Sequence, residues 1–494
     1  MLVRSVRQSW STLRSLAHRI VGVDERTQRL ESVLDGLVRR VGALREQNAE
    51  LARRTDELER AVAGRGDAHS RSLRVLNDTV NLATRRGAFA RPVARVVFLV
   101  HHIEAWDSLD ELFAAMAAAP DFDPVVVSLP RRFGGVGPLR DEDVVHAGLA
   151  ERGVPHLRAA GDRVPDVLRF VKLLEPDLVV RQSQWDRDVD EGLAVELLSF
   201  ARLCLVPYET MNLVVNVPEP RSGTTNTAVD SELHRAAWLV FCANEESRRA
   251  AVRDGVTAGR QFRVVGHPKA DVLRAAEPSW PVATAGPSGG RRPRVVWSSH
   301  HSIGQGWTRF GLFPEVAEDM LAWAREGDVE IVWMPHPALR PYLERPESPC
   351  PVERYADWRT RWDALGNTAV VESERYAPVL AATDVVITDG LSMLVEPQVL
   401  TTPVVFLERA GHRPFTEVGD RVVAGTHVVD DVASARRVVE KVRTDGDDLA
   451  SVQRRNVQEL LGAPGAAERI LRVLRDEIAA VRGLSSAPSG QDAR

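Results

Sequence analysis

From Arg95 onward the chain alternates short β-branched runs with stretches of helical period, and that alternation leaves few ways to fold. Strand candidates are 95–100, 124–129, 177–181, 202–207, 238–242 and 262–265. Stretches such as 107–118 and 244–253 carry the helical period between them. Strands apolar on both faces must be covered on both faces, as in a parallel sheet with helices on each side. A second alternating set follows at 294–298, 329–334, 368–371, 384–388, 403–407 and 426–429. Helices from about 431 to 482 close it, and 484–494 reads as a disordered tail. Pro281 to Pro293 is rich in Gly, Pro and Ser and reads as a linker. The predicted fold is α/β, with two Rossmann-like doubly wound domains, 93–280 and 294–483, facing a cleft.

The first part of the chain has a different grammar. Residues 2–62 follow an unbroken heptad, with Leu at most d positions (Leu16, Leu30, Leu37, Leu44, Leu51, Leu58) and Asn48 at an a position. Leu at d with a lone a-position Asn favours a parallel dimer in register. A coiled coil over 1–66 is expected, followed by a linker helix over 67–92, with homodimerisation through residues 2–62. Trp10 with Arg4, Arg7, Arg14 and Arg19 also suits a helix lying on an anionic membrane surface.

Composition closes off several classes of function. A net charge of −5 gives no reason to expect nucleic-acid binding. Cys204, Cys242 and Cys350 lie far apart and form no zinc pattern, so a reduced cytosolic setting and no metal are expected. No run reaches the roughly 18 apolar residues of a membrane span. GxGxxG is missing; the nearest approach, Gly134-Gly135-Val136-Gly137, runs into Pro138, which argues against a dehydrogenase.

Two strand ends in the second half carry the chemistry. One is Val-Glu-Ile-Val-Trp-Met-Pro-His-Pro, with His336; the other, 384–393, ends in Thr388-Asp389-Gly390-Leu391-Ser392-Met393. Ligands of open α/β sheets bind beyond the carboxyl ends of strands, where helix N-termini attract anions. Thr388, Asp389 and Ser392 are expected to cap the next helix, Gly390 to let a ligand approach the backbone, and Glu396 to accept from a ribose hydroxyl. His300 and His301 follow the first strand of the second domain, with Gln305, Trp307 and Arg309 in the same loop, as candidates for phosphate contact. His412 is a further candidate. Asp186-Arg187-Asp188 reads as a solvated loop, and Arg181, Gln184 and Trp185 as an edge that touches the acceptor.

The pattern Asp389, Ser392, Glu396, Pro403 resembles the CDP-glycerol glycerophosphotransferase family, the teichoic-acid polymerases and primases, whose fold is the two-domain GT-B architecture. His336 matches that family's His-Pro motif, where the histidine contacts the donor diphosphate. Gly266-His267-Pro268-Lys269-Ala270-Asp271 resembles its Gly-x-Pro-Arg-x-Asp segment. Leu391 stands where the family has a serine, and Glu396 where it has an aspartate, as in sugar-nucleotide GT-B enzymes.

The resemblance implies transfer of a phospho-polyol from a CDP-linked donor, without metal, to a hydroxyl of a cell-surface polymer or lipid-linked precursor. The location it implies is the cytoplasm, peripheral on the inner face of the membrane. The family's histidine base, in a Trp-His-Gly motif, is missing; the corresponding stretch reads Val206-Pro207-Tyr208-Glu209-Thr210. Glu209, or else His101 or His102 at the end of the first strand, would then take the acceptor proton, with Glu209 and His102 favoured equally. A nucleotide-sugar glycosyltransferase of envelope glycan assembly, and a non-catalytic coiled-coil assembly protein with degenerate transferase domains, are the alternatives.

Overall fold

The computed structural model describes residues 91–132, 137–160, 164, 166–215, 226–282, 291–304, 308–345, 348–372 and 375–483, with residues 80 and 81 and scattered helical positions between 12 and 76. Two compact units divide the chain, residues 1–79 and 80–494. In the first unit the described positions, 42–51 among them, are helical, and Leu37, Leu44 and Leu51 are more than half exposed, at 52%, 57% and 60%. The remaining heptad positions, the tail from 484, most of the linker and Gly134 to Val136 lie outside the described residues.

The second unit contains two parallel sheets. The first is ordered β3-β2-β1-β4-β5-β6-β7. Its strands are β1 (Ala94–Val100), β2 (Phe122–Ser128), β3 (His156–Arg158), β4 (Leu178–Arg181), β5 (Arg202–Leu205), β6 (Leu239–Cys242) and β7 (Phe262–Val264). The second is ordered β10-β9-β8-β11-β12-β13. Its strands are β8 (Arg294–Ser299), β9 (Glu330–Pro335), β10 (Thr368–Val370), β11 (Val385–Thr388), β12 (Val404–Leu407) and β13 (His427–Val429). Every strand pairing is parallel, including β1 with β4 and β8 with β11. In both sheets the order reverses beside the first strand, so the loops after β1 and β4, and after β8 and β11, open at topological switch points. This is the GT-B arrangement.

Helices cover both faces of each sheet, which is why Val97, Leu99, Val296 and Val386 are fully buried alongside their alternating neighbours. The second lobe is anchored by packed aromatics: Trp297 stacks on Trp333 at 5.7 Å and meets Trp358 edge to face at 5.7 Å, ring centre to ring centre. Such pairs contribute about 0.5–1.5 kcal/mol each beyond their area.

The lobe boundary differs from the expected one. The last helix, Ala466–Val481, buries Ile470, Leu471, Leu474 and Ile478 in the core of the first lobe, against Phe98 and Leu112. Its start is tied there by Asp271, which accepts the N–H groups of Gly465 and Ala466 at 2.9 and 2.8 Å. In return, Met211, Leu213 and Val214 pack into the second lobe, where Val214 bridges Phe415. The strand β3 was not expected; at three residues, with Leu157 exposed and its neighbours partly buried, it has no run long enough to announce itself.

Candidate functional site

At the second switch point three imidazoles meet. His300 and His301 follow β8, and His336 follows β9. His336 N–H donates to Ser299 O at 2.9 Å, which aligns the two strand ends. The ring centres lie 4.3 Å apart for His300 and His301, 5.3 Å for His300 and His336, and 4.3 Å for His301 and His336. Burial holds all three pKa values well below the ordinary histidine value, and each ring's charge would further oppose its neighbour's. All three are therefore neutral at neutral pH.

A neutral imidazole has one donor and one acceptor nitrogen, and the partners assign which is which. Nδ1 of His336 accepts the backbone N–H of Ala338 at 3.0 Å. Nδ1 of His300 accepts the backbone N–H of Ser302 at 3.2 Å. In both rings the proton must then sit on Nε2. Ring nitrogens of the three lie within 4.8 Å of one another, close enough to share a metal ion. A ring whose Nδ1 accepts from the backbone has no lone pair left on Nε2, however, so His300 and His336 offer N–H donors, which suit an anion.

The loop after β11 lies beside this trio. Gly390 is buried; a Cβ there would lie 3.6 Å from the Cβ and Cδ2 of His300. The helix Ser392–Val399 begins just after, with Ser392 exposed in its first turn. Its cap differs from the expectation: the N-cap is Leu391, and no side chain caps it. Thr388 Oγ1 accepts from Gly390 N–H at 2.9 Å instead. Asp389 turns away, and its two oxygens accept N–H groups of His300 at 2.6 Å and Leu312 at 2.5 Å. Burial pushes its pKa up to about 7, against the pull of those two donors. Asp389 thus orients the His300 loop.

Glu396 is 1% exposed and paired. Lys269 Nζ lies 2.7 Å from one carboxylate oxygen, and the Tyr376 hydroxyl donates to the other at 2.6 Å. Lys269 belongs to the first lobe, so the acid expected to hold ribose also joins the lobes.

The first switch point carries different groups. His102, after β1, has Nδ1 3.4 Å from Arg131 Nη1. Arg131 is held by Glu104, which accepts from both terminal nitrogens at 2.5 and 2.8 Å. Burial, then Arg131, lowers the pKa of His102 to about 4. Its Nδ1 faces a permanent donor, so its proton also sits on Nε2. The rings of His102 and Tyr208 lie 5.6 Å apart, and the Tyr208 hydroxyl bonds the Glu209 carboxylate. Burial raises the pKa of Glu209. Behind burial and His300, the positive charges of Arg131 and Lys269 of the first lobe also lower the pKa of His336.

Other candidates stand apart. His101 is fully buried, and Arg181, 0% exposed and 3.2 Å from Asp186, is closed off from the acceptor edge expected of it. His412 stacks on Phe310 at 4.4 Å and lies 3.1 Å from Glu408. Gln305 and Trp307 lie outside the described residues. Sequence reading passed over Arg131, Tyr208 and Tyr376; no motif marks them, and only the packing brings them to the cleft.

No protein-family model matches the sequence, and no curated protein matches it. Solved structures do resemble the fold. Staphylococcus aureus MnaA bound to UDP superposes with a TM-score of 0.51 at 12% identity, over 81% of this chain and 100% of that one. The wall teichoic acid polymerase TagF gives 0.51 at 13% identity, over 83% and 98%. The Neisseria meningitidis UDP-GlcNAc 2-epimerase bound to UDP-GlcNAc gives 0.50 at 11%, over 77% and 100%. At such identities the likeness establishes the GT-B fold.

Proposed function

We propose that this protein is a transferase that moves a phospho-polyol from a CDP-linked donor to a hydroxyl of a cell-surface polymer or its lipid-linked precursor. The observation that carries this reading is the group of neutral imidazoles at the second switch point, with N–H donors assigned on His300 and His336. Neutral N–H donors and a helix N-terminus suit a diphosphate. The architecture shared with TagF supports the choice of chemistry.

In this reading His300, His301 and His336 hold the diphosphate, with Gly390 and the Ser392 helix start beneath it. The acceptor oxygen attacks the β-phosphorus, forming one P–O bond as the bond to the bridging oxygen breaks and CMP leaves. Glu209 takes the acceptor proton. His102 is the weaker base because its Nε2 already carries a proton, which makes it a hydrogen-bond donor to phosphoryl oxygen. Glu396 reaches the ribose only by exchanging its bond to Lys269 or Tyr376 for one to the sugar.

A nucleotide-sugar reaction is the second reading. Glu396 in place of an aspartate favours it, as do neighbours that bind UDP and UDP-GlcNAc. Thermal shift against CDP-glycerol, CDP-ribitol, UDP-sugars and CMP-sugars separates the two: stabilisation by CDP donors is expected, and stabilisation by a UDP-sugar alone rejects the first reading. Residues 2–62 dimerise this enzyme on the cytoplasmic face of the membrane. Exposed Leu37, Leu44 and Leu51, seven residues apart, support the dimer. Sedimentation of the full chain should give a dimer, and a version lacking residues 1–70 a monomer.

A further inference from the structure

Gln182 follows β4 at the first switch point and is fully buried. The β1–β4 ladder ends at Leu99 and Arg181, and the β4–β5 ladder at Arg181 and Leu205. Past those pairs one further ladder bond joins described residues of β4 and β5, from Val206 N–H to Arg181 O at 3.0 Å. Gln182 takes over at that point. Its side-chain Oε1 accepts the backbone N–H groups of both His101 and His102 at 3.2 Å. Its Nε2 donates to the His102 carbonyl at 3.1 Å. Its own carbonyl accepts the N–H of Tyr208 at 2.8 Å.

One residue therefore fixes the loop after β1 through its side chain and the loop after β5 through its main chain. The first loop carries His102, and the second carries Tyr208 and Glu209. An amide suits this place for a specific reason. Two backbone N–H groups and one backbone carbonyl must be satisfied together, in a site that excludes water. A carboxylate cannot donate, an amine cannot accept, and an alkyl chain does neither. Buried groups left without partners cost about 1–3 kcal/mol each.

We propose that Gln182 is the positioning residue for acceptor activation, holding Glu209 and His102 in one frame at the cleft. The proposal rests on the assignment of Glu209 as base and His102 as donor made above.

The test uses the full-length chain with Gln182→Leu and Gln182→Glu. For Gln182→Leu the expected result is a fall in kcat of about tenfold or more, with KM for the CDP donor within about twofold. Gln182→Glu keeps both acceptor contacts and adds an anion beside the pair, which makes proton loss harder. It should recover part of kcat and move the acidic limb of the kcat–pH profile to higher pH. A folded Gln182→Leu protein with wild-type kcat, or with raised KM and unchanged kcat, overturns the proposal. Should that variant not fold, an unmoved limb in Gln182→Glu overturns it. If wild type turns over no donor in the panel, the transferase reading fails, and histidine-selective NMR titration decides the remainder. His102 must then titrate at higher pH in Gln182→Glu than in wild type, and an unchanged titration rejects the role of Gln182.

Discussion

The two lobes share a topology and a switch point yet present opposite chemistry at it. In the second lobe the acids are committed: Asp389 holds two backbone N–H groups and Glu396 holds Lys269 and Tyr376. What remains for a ligand is a set of neutral imidazoles, two with assigned N–H donors, and a helix start. In the first lobe the cation Arg131 is committed to Glu104, while the buried Glu209 carboxylate is bonded by the Tyr208 hydroxyl. In the proposed function one end receives an anion and the other accepts a proton. The same backbone frame supports both because a switch point fixes where loops open and leaves the side chains unspecified.

The sharpest way to break this division is to remove the acid. Glu209→Gln should lower kcat by about 10²–10⁴-fold, the usual worth of a general base, with KM for the donor little changed. A variant that keeps wild-type kcat would return the base to another group. Next in size is the pair that joins the lobes. Lys269→Met leaves Glu396 buried without its counter-charge and should cost about 3–5 kcal/mol in urea unfolding. The double variant with Glu396→Gln should recover much of that. Additive losses would mean the pair is not coupled.

Acid should then weaken the first lobe. His234 and His267, in the first lobe, have pKa values lowered to about 4 by burial. A depressed folded pKa means the unfolded state binds more protons as pH falls. The stabilisation is present above the unfolded value near 6.5 and is lost as pH drops from there towards 4, by about 3 kcal/mol per histidine at most. Thermal melts between pH 7 and 4 check this, and a flat Tm would contradict the neutral assignment. His336→Ala has the smallest expected effect, a loss of transfer of about tenfold or more in a protein that stays folded; ΔΔG‡ near 1.4 kcal/mol corresponds to that factor. Wild-type rates would remove the second lobe's anion role.

Much of this molecule is legible in the order of its residues. Twelve of the thirteen strands fall where β-branched runs predict them, because a strand buried on both faces has no other composition available. The turn glycine Gly390 and the histidines of both switch points are likewise visible, since strand ends of an open α/β sheet are where ligands bind. The short edge strand β3 is not, nor is the return of the Ala466–Val481 helix to the first lobe, which depends on Asp271 finding its N-terminus 194 residues later in the chain.

Sequence alone settled the parallel α/β grammar, the heptad of the first unit and the histidines at the strand ends, because periodicity and composition act locally. Tertiary structure alone decided the partners: that Asp389 and Glu396 are already engaged, that the rings of His300 and His336 carry their protons on Nε2, and that Arg131 and Gln182 belong to the cleft. Those outcomes turn on which buried donor finds which acceptor across long separations, and no local pattern of residues encodes that pairing.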